Sequence, residues 1–157
     1  MIETERLLIR PLSDDERVEM LAQWQDPANE RVPPDAPEAQ VRAWVEGLPW
    51  GVWERSSGEL VGDCSLHFDK GFGEWELSYG FRRDRWGRGY ATEAARACVR
   101  HGFDELGLEK IVADVEPARL QSMRVLEKCG FALTGTLEDG RLFYAVTRSC
   151  GVARDGA

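Results

Sequence analysis

Positive charge, histidine and long apolar runs are all scarce in this 157-residue chain. Twenty Lys and Arg stand against 28 Asp and Glu, a formal net charge of −8 at pH 7. A general nucleic-acid binder needs a basic surface to neutralise phosphates, so that class is excluded, and with it a polybasic membrane anchor. No apolar run approaches the ~20 residues of a spanning helix. The N-terminal MIETERLLIR lacks the apolar core of a secretory signal, so a cytoplasmic location is expected. Two histidines and four scattered cysteines, Cys64, Cys98, Cys129 and Cys150, contain no CxxC pair. A structural zinc site is not expected, and the cysteines read as reduced, mostly buried small hydrophobes. No repeat and no low-complexity linker divides the chain. What remains is an ordinary globular balance, 43% hydrophobic and 31% charged, in a length suited to one domain. That domain is expected over residues 1–149, with residues 150–157 as a flexible tail.

The pattern of elements is mixed. Residues 3–10 read as a strand ending at Pro11. Ser13-Asp14-Asp15-Glu16 is a capping-box pattern, followed by a helix with Val18, Leu21, Ala22 and Trp24 on its apolar face. A proline-rich loop leads to a second helix from Pro37 to Gly47, striped by Val41, Trp44, Val45 and Leu48. Three antiparallel strands are predicted over 50–55, 60–68 and 74–82. On the second, Asp63, Ser65 and His67 share one face. On the third, Glu74, Glu76 and Ser78 oppose Trp75, Leu77, Tyr79 and Phe81. A helix then runs to about Glu105, with small inward residues at Ala91, Ala95, Cys98 and Gly102. A strand at 111–115, a helix ending at Gly130 and two strands at 131–137 and 142–148 complete the order βααβββαβαββ. This predicts an α/β (α+β) fold with one mixed, mostly antiparallel sheet and helices on both faces.

The segment Arg82-Arg83-Asp84-Arg85-Trp86-Gly87-Arg88-Gly89-Tyr90-Ala91 carries the chemistry. A strand runs into a Gly-x-Gly turn and directly into a helix. Two glycines permit backbone conformations that expose N–H groups at a positive helix end, which suits a phosphate or pyrophosphate. Arg85 and Arg88 add mobile positive charge. The loop is not a P-loop, and Thr92 stands where a dinucleotide fingerprint needs its third glycine.

Five segments together, TERLLIRPL, LVGDCSL, WGRGYATEA, SMRVLEKCGF and YAVTR, resemble the GNAT acetyltransferases. Within that superfamily they resemble the RimJ/RimL-like group that acetylates ribosomal-protein N-termini. The resemblance covers nearly the whole chain and implies a GNAT-like fold and an acetyl-CoA donor, with no metal. It implies that backbone N–H groups from Trp86 to Tyr90 hold the pyrophosphate, flanked by Arg85 and Ala91. It implies that pantetheine pairs with the strand end Tyr79 to Phe81, where that strand splays from 111–115, and that the acyl carbonyl sits near Phe81. Ser122 matches the residue expected to protonate the leaving thiolate, and Tyr144 is a second candidate acid. Asp84 and Arg119 depart from the usual residues. A carboxylate beside a diphosphate is unfavourable, and Arg119 replaces an asparagine that would bond pantetheine amides.

A base is also needed, because an acceptor must be neutral to attack. Glu76 and Glu74 are candidates on the strand beside the cleft; His67 reads as structural and His101 as helix surface. Glu76→Gln is expected to cut activity most at low pH, where the amine is protonated. Trp24, Trp44 and Trp75 read as core, whereas Trp50 and Trp53 are placed along the acceptor cleft. The expected reaction is direct transfer of acetyl to a primary amine, either a protein N-terminus or a small molecule. Two alternatives remain open: a CoA-binding sensor or scaffold without catalysis, and a nucleotide-binding protein. No nucleic-acid or membrane partner is expected. The family is compatible with a homodimer, which nothing in the sequence itself shows.

Overall fold

The first strand turns back on itself. In the computed structural model, which describes residues 1–148, the single strand expected over 3–10 is a small hairpin. Its arms are β1 (Ile2–Glu3) and β2 (Leu7–Pro11). Thr4 closes it, because its hydroxyl accepts from the Leu7 amide at 3.0 Å and its own amide donates to the Leu7 carbonyl at 2.9 Å. A side chain that bonds local backbone offers an alternative to continued extension.

Helix α1 (Asp14–Gln25) starts at the expected capping box, with Ser13 and Glu16 bonded reciprocally. Leu21 and Trp24 of its expected face pack against the core, but the centre of that face is elsewhere. Met20 is fully buried while Val18 is 69% exposed. Helix α2 (Glu38–Glu46) buries Val41 and Val45, but Trp44 stays largely exposed and packs on Trp24 at its ring. Arg17 joins the helices by donating to the carbonyls of Val45, Glu46 and Leu48, satisfying acceptors that a helix C-terminus leaves open.

The remaining elements are β3 (Trp50–Glu54), β4 (Leu60–Asp69), β5 (Glu74–Phe81), α3 (Tyr90–Asp104), β6 (Lys110–Val115), α4 (Leu120–Lys128), β7 (Ala132–Thr136) and β8 (Leu142–Thr147). Eight strands form one mixed, mostly antiparallel sheet in the order β1-β2-β3-β4-β5-β6-β8-β7. The parallel pair is β5 with β6, in register at Glu76 and Val112. Beyond the extra N-terminal strand, the expected order of elements holds.

The chain packs as two units: Met1–Ser65 with Tyr79–Tyr90, and Leu66–Ser78 with the described residues from Ala91 on. In the first unit, Leu12, Met20, Val45, Leu48, Trp53 and Leu60 form a buried cluster. Trp53, expected along a cleft, therefore belongs to this core, with the Arg10 guanidinium stacked 3.7 Å from its ring centroid. The apolar burial of such a ring outweighs any gain from exposing it. Asp63 is 1% exposed and ion-paired to Arg31 at 2.6 Å, so its charge is held inside the unit as a pair.

In the second unit, small residues let α3 approach closely. Gly102 has the side chains of Leu66, Ile111 and Leu108 against the position a Cβ would take. Helix α4 ends in a Schellman motif: the Phe131 amide donates to the Leu126 carbonyl, and Gly130, at φ 91°, donates to Glu127. Cys64, Cys98 and Cys129 are buried, as expected. Cys150 and the tail expected over 150–157 lie outside the described residues. Among the described residues, no helix is long and apolar enough to cross a membrane.

Candidate active site

Strand β5 ends at Phe81, and a 3-10 turn at Arg83–Arg85 leads to the glycine turn. Gly87 and Gly89 hold φ values of 77° and 79°, the left-handed region that disfavours other residues. Among the described residues, and apart from its chain neighbours, no heavy atom lies within 4 Å of the position a Gly87 side chain would occupy, so the turn presents bare backbone to open space. Helix α3 begins at Tyr90, and the first amides of a helix have no acceptor within it. Bare N–H groups at the positive end of a 15-residue helix suit an anion. Trp86 fastens the turn to β5 by donating from its indole to the Phe81 carbonyl at 3.0 Å.

Below the turn lies a charged network that the sequence reading missed. Glu54, 4% exposed at the end of β3, accepts two hydrogen bonds from Arg85 at 3.0 and 3.1 Å. It also accepts from the Tyr90 hydroxyl at 2.7 Å and the Ser57 hydroxyl at 2.6 Å. The Arg85 bonds first, then those of Ser57 and Tyr90, hold the Glu54 carboxyl down at about 2. Arg85 also binds Glu59 at 2.7 Å and Asp84 at 2.9 Å, and its side chain is only 12% exposed. Arg85 is therefore not the mobile cation expected from the sequence: three carboxylates hold it, and it shapes the loop from beneath. Arg88 is the exposed cation of the turn, at 51%. Its carbonyl accepts from Arg6, whose guanidinium lies 4.6 Å from the Tyr90 ring centroid.

The objection to Asp84 also falls. Arg82 forks onto its two carboxylate oxygens at 3.1 and 2.7 Å, and Arg85 adds a third bond. Arg82, then burial opposing it, sets the direction, and the carboxyl lies below its ordinary range. Two arginines cancel the charge that would repel a diphosphate.

The second unit holds the candidate bases. Glu74 is ion-paired to Lys110 at 3.4 Å. Glu76 is different, with its side chain 12% exposed. Burial first, then the charge of Asp114 and a hydrogen bond to Asp69, push its carboxyl up to about 8. His67 lies 3.7 Å away, its own value lowered chiefly by burial. Asp114 is held by Arg141 at 3.0 Å. Of the pair His67 and Asp69, only His67 was legible in the sequence, on a face with Asp63 and Ser65; Asp69 lies past the strand end expected at 68. Their meeting with Glu76 was not legible.

Arg119 is exposed at the N-cap of α4, and Ser122 is half-buried in its first turn. Tyr144 is 4% exposed on β8, opposite Ala113 and Leu133, and burial raises its phenol above the usual value. The structure thus brings Phe81, Trp86 and the turn to Tyr90 together in the first unit. It gathers Glu76 with His67, Asp69 and Asp114 in the second.

Residues 6–132 match the family model described as an acetyltransferase (GNAT) domain. The chain belongs to the GNAT acetyltransferase family. It is 27% identical over 150 residues to the uncharacterized N-acetyltransferase p20 of Bacillus licheniformis, covering 87% of this chain and 84% of that protein. It is 31% identical over 134 residues to the FsC-acetyl coenzyme A-N(2)-transacetylase of Aspergillus fumigatus, covering 69% of this chain and 57% of that one. The chain spans about half to two thirds of the length of several curated relatives it matches. The crystal structure of a GNAT-family acetyltransferase from Bacillus anthracis superposes with a TM-score of 0.79 at 26% identity, covering 94% of this chain and 98% of that one. GNAT acetyltransferases take acetyl-CoA as their substrate. The Gly87–Gly89 turn, its open space and its neutralised Asp84 fit that donor's diphosphate.

Proposed function

We propose that this chain transfers an acetyl group from acetyl-CoA to a primary amine by direct attack in a ternary complex. The observation that carries this reading is the turn at Gly87 and Gly89, two left-handed glycines opening a long helix over bare backbone. The amides from Trp86 to Tyr90 bind the diphosphate, with Arg88 as the outer cation and Arg85 as the support beneath. Ala91, in the first helical turn, lets the helix approach the donor. Tyr79 and Phe81 offer strand backbone to the pantetheine, and Arg119 offers donors to it.

The amine nitrogen attacks the thioester carbon, an N–C bond forms, and the C–S bond breaks. One proton passes from the amine to Glu76. The leaving sulfur takes a proton from the Ser122 hydroxyl, which is restored from solvent; Tyr144 is the second candidate. The acceptor is a protein N-terminus or a small amine, as the RimJ/RimL-like motifs suggest. A cytoplasmic location and a homodimer are consistent with those motifs. The neutralised Asp84 weakens the case for a non-catalytic CoA-binding module.

An acceptor screen that follows free thiol release in the presence of acetyl-CoA tests the reading. No turnover with any amine class, despite acetyl-CoA binding, would count for the non-catalytic module. Ser122→Ala is expected to lower kcat while leaving acetyl-CoA affinity within a few-fold, because the hydroxyl acts as the thiolate leaves. An unchanged kcat shifts the acid role to Tyr144.

Burial reverses the pH dependence expected of Glu76→Gln. Because the carboxyl is raised to about 8, it is itself protonated at low pH and accepts nothing there. With an alkyl amine acceptor, whose own titration lies near ~10, the parent kcat should climb with pH and level off past about 8. The glutamine variant should lose most activity at and above that pH. Profiles that run parallel would remove Glu76 from the mechanism.

Stability gives an independent check. A carboxyl with a raised folded value binds more protons folded than unfolded, between its ordinary range and about 8. Stability therefore falls as pH rises through that window. Glu76→Gln should gain in Tm over the parent as pH rises from 5 to 9 by thermal melts (on the order of several degrees).

A further inference from the structure

The hairpin joining β4 and β5 places His67, Asp69 and Glu76 so that one polar atom from each lies within 4.8 Å of the others. Asp69 and Glu76 are both carboxyls, yet their surroundings differ. The Phe72 amide donates to Asp69 Oδ1 at 3.0 Å from within the same turn. Gly73, at φ 68°, closes that turn by donating to the Asp69 carbonyl at 2.8 Å. Glu76 sits further along β5, in register with Val112 of β6.

The geometry points to Asp69 as a positioning residue for acyl transfer: pinned by the Phe72 amide, with a carboxylate oxygen within 4.8 Å of one of Glu76, it fixes the Glu76 carboxyl and sets when that carboxyl can take the amine proton. This rests on Glu76 being the base of the proposed reaction. Two adjacent carboxyls cannot both ionise readily, and the one that accepts backbone N–H bonds keeps the charge. Asp69 is that one; its value is lowered chiefly by the Phe72 amide. The proton then resides on Glu76 in the resting site. It must leave before the carboxylate can take the next one: an amine N–H bond breaks as a Glu76 O–H bond forms.

The charged groups that face Glu76 among the described residues enter the balance. His67 and Asp69 face it from β4 and Asp114 from β6. Arg141, before β8, lowers Glu76 and is shared by Asp114 and Asp139. Asp69 is the carboxyl of this set that lies within 4.8 Å of Glu76 and is anchored by its own turn. Phe72 adds to the anchor by packing edge-on against Phe143, with ring centroids 5.1 Å apart.

The test replaces Asp69 by Asn, which keeps the size and an oxygen for the Phe72 amide and removes the charge. Carbon-13 NMR of the glutamate carboxyls in the whole chain reads Glu76 directly, its signal assigned by its loss in Glu76→Gln. The Glu76 midpoint should fall by about one pH unit or more in Asp69→Asn, and the rising limb of kcat should move with it. A midpoint that stays in place overturns the inference. So does a loss of activity equal at all pH values, the mark of a merely structural turn residue. The NMR reading needs no turnover, so an inactive but folded variant still decides the matter. The two layers separate cleanly. If Glu76→Gln keeps the parent profile, the base assignment fails. If Glu76→Gln flattens the limb while Asp69→Asn leaves it in place, only the role of Asp69 fails.

Discussion

Gly89→Val should lower acetyl-CoA affinity by about 30-fold or more while the protein still folds. Gly89 holds φ 79°, where a β-branched residue is a true outlier. Forcing valine there strains the backbone by about 1–3 kcal/mol, or bends the turn away from its amide-presenting shape. Its side chain would also project toward the space the diphosphate needs, with the Arg6 guanidinium 3.4 Å from the first added carbon. Gly89→Ala should show a smaller loss of the same sign. Calorimetric titration with acetyl-CoA, beside circular dichroism of the variant, reads both effects. Unchanged affinity in a folded valine variant would falsify the assignment of the turn.

The second large effect belongs to a residue with no direct part in the chemistry. Glu54→Ala is expected to destabilise the chain by about 3 kcal/mol, near the lower end for removing one partner of a buried pair. The lower end applies because Arg85 keeps Asp84 and Glu59. In a domain of this size that is a Tm loss of about 10 °C. Acetyl-CoA binding should weaken as well, since Arg85 and Tyr90 lose the group that aligns them beneath the turn. Glu54→Gln separates charge from shape and carries a pH signature. The folded value of Glu54, about 2, lies below its unfolded one. Its contribution is therefore present above the ordinary carboxylate range and is lost as pH falls toward about 2. The stability gap between parent and Glu54→Gln should be full at pH 7 and shrink through pH 4 to 2. A gap constant with pH would show that packing, not charge, makes Glu54 matter.

Elements with a strong local signal were legible in the chain. The capping box at Ser13 and Glu16, the glycine stop at Gly130 and the Gly87–Gly89 turn each rest on neighbours within a few residues. Signals that depend on distant partners misled. Val18 keeps the helical period of its neighbours, yet Met20 meets the core, because the direction of burial depends on what α1 packs against. Trp53 is expected along a cleft, and Asp63 reads only as sharing a strand face with Ser65 and His67. A stacked Arg10 and an ion-paired Arg31, more than thirty residues away in each case, make both part of the interior.

The sequence by itself determined the order of elements, the glycine turn that opens a long helix, and the motifs by which the chain resembles its family. All three are local or short-range, and chain periodicity and glycine stereochemistry suffice to read them. Only the tertiary structure decided which charges are free. Asp84 and Arg85 look like a liability and an asset for binding a diphosphate; Arg82, Glu54 and Glu59, from separate segments, neutralise the one and immobilise the other. Glu74 and Glu76 look alike as neighbouring acids on one strand face. Lys110 pairs with the first, while burial beside Asp69 and Asp114 holds a proton on the second. A side chain's charge state depends on desolvation and on charges within a few ångströms, and those neighbours are set by folding rather than by position along the chain.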